Sequence, residues 1–157
     1  MHDIEEPLLE EYVRPEWVDY NGHMNDTAYV GVFSTAVDLL IDQLGMDEAF
    51  RKQHHYSVYT LENHMCYLAE AQEGQLLQVT VQLLDHDTKR LHVFLEMKNK
   101  DGKQLATSEQ MLMGIDMNSG RPAFFPPSIQ VRVENLGSEH QQKSQPKHVG
   151  RKIGIRR

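Results

Sequence analysis

Between Asp19 and Tyr29 the chain reads DYNGHMNDTAY, placing two carboxylates, one imidazole and two side-chain amides around a single glycine. A carboxylate such as Asp19 can take a proton from water or attack an acyl carbon itself, and His23 can orient it or donate to a carbonyl. The stretch also leads into an amphipathic segment. From Asp26 the apolar residues Tyr29, Val32, Phe33, Ala36, Val37, Leu40, Ile41 and Leu44 recur at spacings of three and four, which predicts a long helix with one wide buried stripe. Asn25 is its natural N-cap, Asp26 suits the positive end of its dipole, and Gly45 sits where a C-terminal cap belongs. A helix start of this kind offers unpaired N–H groups to an oxyanion. Donors so arranged are commonly worth about 3–4 kcal/mol in a transition state. The same residues also make a good turn with a good cap, and on residue types alone both readings stand.

Composition removes several other classes of function. The single cysteine, Cys66, excludes an internal disulfide and multi-cysteine metal sites, and its place in an apolar run suits a buried, inert thiol. His54, His55 and His64 have no metal-ligand spacing, so no metal or other cofactor is expected. The acidic start, MHDIEEPLLEEY, is unlike a signal peptide, and no apolar run is long enough to cross a membrane, which leads to the expectation of a cytoplasmic protein. The net charge of −7 is unevenly spread: residues 129–157 carry +5 and the rest −12. An acidic body argues against a nucleic-acid partner, while the basic tail, with Arg151 and Lys152, can meet a polyanionic ligand or simply be solvated.

Elements must position these groups. A first strand is expected over 8–18, with Pro15 bending it near its end. A short helical piece over Met46–Lys52 follows the long helix, and strands are expected at Tyr56–Ala69, Leu76–Asp85, Arg90–Lys98 and Leu105–Met117, broken by turn signals. The alternation of Leu91, Val93, Leu95 and Met97 marks a sheet with one face on a core. The outline is strand, long helix and a four-stranded meander: an α+β domain over 1–128 whose curved antiparallel sheet wraps the helix, followed by a basic polar tail over 129–157, partly helical and partly disordered. Association of two such sheets would protect their edges.

This order of elements, with VRPEWVDYNGHMNDTAYV, resembles the hotdog-fold acyl-CoA thioesterases of the 4-hydroxybenzoyl-CoA thioesterase type over residues 8 to about 127. The motif residues are Asp19, Gly22 three positions on and Tyr29 ten positions on. The resemblance implies an acyl-CoA thioester hydrolase in which Asp19 is nucleophile or general base and amides near Asn25 and Asp26 polarise the thioester carbonyl; His23 can assist or equally bond a backbone carbonyl of the loop. It implies a homodimer or homotetramer with the site at the subunit interface, where strand residues such as Glu62 and His64 reach the partner's site. The motif together with the ending GRKIGIRR further resembles thioesterases of bacterial carnitine breakdown, which act on betainyl-CoA. A trimethylammonium group favours aromatic faces, for which Trp17, Tyr20, Tyr29, Tyr59 and Tyr67 are available, with Glu62 as counter-charge. Two rivals remain: a hotdog enoyl-CoA hydratase using Asp19 and His23, whose usual spacing and proline are missing, and a non-catalytic acyl-CoA-binding protein.

Overall fold

The computed structural model describes residues 6–157, so the first residues of the acidic N-terminal stretch lie outside the described part. Strand β1 (Leu9–Tyr12) is followed by a single 3-10 turn at Pro15–Trp17, then helix α1 (Asp26–Gln43) and helix α2 (Glu48–His54). The sheet continues with β2 (Tyr56–Tyr67), β3 (Leu76–His86), β4 (Arg90–Lys98), β5 (Gln104–Asp116) and the short β6 (Arg121–Pro122), and helix α3 (Pro127–Gln141) comes last.

The strand expected over 8–18 is therefore short. Its ladder with β3 ends where Tyr12 faces Leu76. Pro15, which has no N–H to donate, then opens the 3-10 turn. The short helix lies slightly later than its expected bounds because Asp47 caps it, accepting from the Phe50 N–H at 2.9 Å. The bounds of β4 are those read from its alternation.

The strand order is β1-β3-β4-β5-β2, antiparallel throughout, with β6 beside β5. This corrects the simple meander: β2 pairs with β5 and leaves its other edge open. The segment joining β2 to β3 must then arch across the width of the sheet. It passes the start of α1, where Met24 N–H donates to the Ala71 carbonyl at 2.8 Å.

The curved sheet wraps α1 in the hotdog arrangement. The stripe Tyr29, Val32, Phe33, Ala36, Val37, Leu40 and Ile41 is buried, together with Leu91, Val93, Leu95 and Met97 of β4 and Leu77 and Val79 of β3. Gly45 closes α1 at φ 96°, in the left-handed region that favours glycine. Helix α3 packs on β3 and completes the core with Ile129 and Val133, at 2% and 0% exposure. Position 128/129, where the basic tail was divided from the body, lies in the first turn of this helix. Among the described residues no helix is long and apolar enough to cross a membrane.

Candidate active site

The Asp19 loop is a compact Asx turn. Asp19 Oδ1 accepts from the N–H groups of Asn21 (2.9 Å) and His23 (3.1 Å), while the Asp19 N–H donates to the His23 carbonyl at 2.9 Å. Gly22, at φ 78°, lets the chain reverse there, and its N–H donates to the Asp19 carbonyl. One carboxylate oxygen is thus fixed by two amides. The other, Oδ2, has no partner among the described residues, and Asp19 is exposed.

Asn25 caps α1 as the sequence predicts, accepting from the Ala28 N–H at 3.0 Å and from the Thr27 hydroxyl at 2.7 Å. Its own N–H is occupied by the Trp17 carbonyl at 2.9 Å. Of the two amides expected to face an oxyanion, only that of Asp26 is open among the described residues. The Asp26 side chain accepts from the Thr27 N–H at 3.0 Å.

The arch after β2 holds the other side. The buried Tyr29 hydroxyl donates to the Ala69 carbonyl (3.3 Å) and accepts from the Ala71 N–H (3.1 Å), locking the arch to α1. Tyr67, at the end of β2, donates to the Asp26 carbonyl at 3.2 Å and meets Tyr29 edge to face, with centroids 5.3 Å apart. Burial pushes both phenols above their usual range, and the Asp26 carboxylate adds to this for Tyr67, so both remain donors at neutral pH. His23 turns toward the arch: its Nε2 lies 3.3 Å from Glu70 Oε2, while its backbone supports Asp19. The Tyr29→Phe variant should lose about 1–3 kcal/mol of stability, because the Ala71 N–H is left buried without an acceptor. Thermal unfolding measures this, and an unchanged midpoint would show that the arch is not held there.

The remaining sequence candidates separate into groups. Tyr20 stands at the tip of the turn, 97% exposed, and Trp17 carries the Arg14 guanidinium over its ring at 4.9 Å. Glu62 and His64 lie on the outer face of β2. There they line a groove of about 750 Å³ with His92, Glu109, Gly150 and Arg151. Lys152 lines a smaller groove with His64, Cys66 and Tyr67. Tyr59 stands apart, its hydroxyl 3.3 Å from Met117 Sδ, roughly 26 Å along β2 from Tyr67 at the usual strand rise. Within one subunit the structure thus gathers Trp17, Asp19, Tyr20, His23, Asn25, Asp26, Tyr29 and Tyr67, and leaves Tyr59 outside.

Sequence reasoning missed Glu70, because its link to His23 depends on the arch. It also missed the His92–Glu109 contact of 2.7 Å, whose carboxylate holds the tail through the Gly150 N–H, also at 2.7 Å. Two histidines and two glutamates on alternate positions of three strands were the available signal.

The model of the thioesterase-like superfamily matches residues 13–133. The chain belongs to that family. A betainyl-CoA thioesterase of Pseudomonas aeruginosa is 43% identical over 144 residues, covering 91% of each chain. An L-carnitine dehydrogenase/betainyl-CoA thioesterase of Rhizobium meliloti is 35% identical over 96% of this chain, which spans 30% of that longer protein. A Staphylococcus aureus protein solved in complex with CoA superposes with a TM-score of 0.91 at 32% identity, over 99% of both chains. The chain is an acyl-CoA thioester hydrolase of hotdog fold, and the hydratase and binding-protein rivals fall away.

Proposed function

We propose that this thioesterase hydrolyses betainyl-CoA to glycine betaine and CoA, with Asp19 as the catalytic carboxylate. The observation that carries the reading is the free Oδ2 of Asp19, on a loop that also presents the open Asp26 N–H at the start of α1. As the thioester carbon becomes tetrahedral its oxygen gains charge, which the Asp26 N–H and the positive end of α1 stabilise. Asp19 either activates the attacking water or forms an acyl-enzyme anhydride that water then opens. Both routes end with a carboxylic acid and the CoA thiol, and neither needs a cofactor. His23 and Asn25 hold the loop.

The 43% identity to a betainyl-CoA thioesterase supports the substrate. The free face of the half-exposed Tyr67, with Tyr20 at the tip of the loop, can receive the trimethylammonium group, and Trp17 can do so once Arg14 moves aside. Arg151 and Lys152 meet the phosphates of CoA. The open edge of β2 pairs with a second copy, giving a homodimer or homotetramer whose partner strands complete the site with Glu62, His64 and Tyr59. A CoA ester as substrate is in keeping with a cytoplasmic protein.

A panel of acyl-CoA esters followed by thiol release tests the substrate. Betainyl-CoA should give the highest kcat/KM, and equal or better turnover of acetyl-CoA or butyryl-CoA would remove the betaine assignment.

A further inference from the structure

Among the described residues, the buried side chains on the inner face of the sheet, which meets α1, are apolar except at one place. Ser108 and Gln110 of β5, at 0% and 4% exposure, stand opposite Leu95 and Val93 of β4, between the buried Ala106 and Leu112. Packing alone gives no reason for a hydroxyl and an amide there, since each costs stability unless its hydrogen bonds are made. They are made in one direction. The Thr60 hydroxyl donates to Gln110 Oε1 (3.5 Å), Gln110 Nε2 donates to Ser108 Oγ (2.9 Å), and the Ser108 hydroxyl donates to Asn63 Oδ1 (2.6 Å).

In this arrangement Asn63 turns its oxygen toward the relay. Its oxygen is taken, so its two N–H donors face away from the relay, and among the described residues they have no partner. Asn63 is exposed, and with Met65 and Tyr67 it forms one file along the inner face of β2. Tyr67 ends that file on the first turn of α1. At the usual strand rise Asn63 lies about 13 Å from Tyr67. In an extended pantetheine arm the second amide carbonyl is eight bonds, or roughly 10 Å, from the sulfur. A thioester held at the start of α1 can bring that carbonyl to the Asn63 amide.

We infer that Asn63 binds the pantetheine arm of the substrate through its second amide carbonyl, and that Ser108 and Gln110 are positioning residues that set the amide. This rests on the proposed thioester site at the start of α1. Three thioesters of one acyl group separate the possibilities: the CoA ester, the pantetheine ester and the N-acetylcysteamine ester, which carries only the first amide carbonyl. In Asn63→Asp the Ser108 hydroxyl keeps an acceptor but no donor faces outward.

The loss of kcat/KM in that variant should be about tenfold greater for the CoA and pantetheine esters than for the N-acetylcysteamine ester, the effect of one well-placed hydrogen bond. It should fall on KM rather than kcat. Ser108→Ala should show the same selectivity with a smaller ratio, and Asn63→Ala should repeat it without the added charge. Losses equal for all three esters, or absent, would overturn the inference and leave the relay structural. Asp19→Asn, assayed alongside, reads the underlying site separately: if it stays active the thioester site itself is misplaced, whatever Asn63 does.

Discussion

Asp19→Asn is expected to lower kcat by about 10³-fold or more while the unfolding midpoint stays within about 2 °C. The substituted amide keeps an oxygen at the position of Oδ1, so the bonds from the Asn21 and His23 N–H groups survive and the turn keeps its shape. What disappears is the free anionic oxygen proposed to take a proton from water or attack the acyl carbon. Thiol release and thermal unfolding measured on the same preparation separate chemistry from folding. A variant retaining more than about a tenth of the wild-type kcat would assign the reaction to another group, since general-base catalysis is commonly worth far more.

Shortening the chain should show how differently its last two segments behave. A chain ending at Ser128 loses Ile129 and Val133, both buried in the core, and with them about 3–6 kcal/mol of apolar burial. It also loses His140, whose Nδ1 accepts the Leu83 N–H at 2.8 Å where the β3 ladder is irregular. Against a total stability of about 5–15 kcal/mol, that chain should not fold stably. A chain ending at Ser144 keeps α3 and should fold, but without Arg151 and Lys152 its KM for CoA esters should rise about tenfold at low salt, and less at high salt. Circular dichroism and steady-state kinetics read both. A folded, active chain ending at Ser128 would show that α3 is dispensable, and an unchanged KM in the longer one would remove the tail from CoA binding.

Helix α1 was legible because its signals are local. Asn25, the apolar stripe and Gly45 each act within a few residues, and the helix runs between them. The same holds for β4, where strict alternation marks both ends. The partner of β2 was not legible, since its pairing with β5 is decided by an arch that local turn signals do not describe. Helix α3 was seen only in part, because its buried apolar residues are few in an otherwise polar segment.

In the candidate site the position of Asp19, Asn25 and Asp26 followed from the motif. The occupation of the Asn25 N–H by Trp17, and the turning of His23 toward Glu70, depend on contacts between segments that no spacing encodes. The relay from Thr60 to Asn63 is set by cross-strand register, which the polar run from Thr107 to Gln110 does not reveal.

The most direct measurement compares thiol release from betainyl-CoA with release from 3,3-dimethylbutanoyl-CoA, whose tert-butyl group has the shape of trimethylammonium without its charge. A cation held on aromatic faces gains about 0.5–2 kcal/mol over its neutral counterpart, so kcat/KM should favour betainyl-CoA by roughly tenfold. Equal turnover of the two would contradict recognition of the cation. Release from neither above the uncatalysed rate would contradict the assignment of betainyl-CoA hydrolysis to this site.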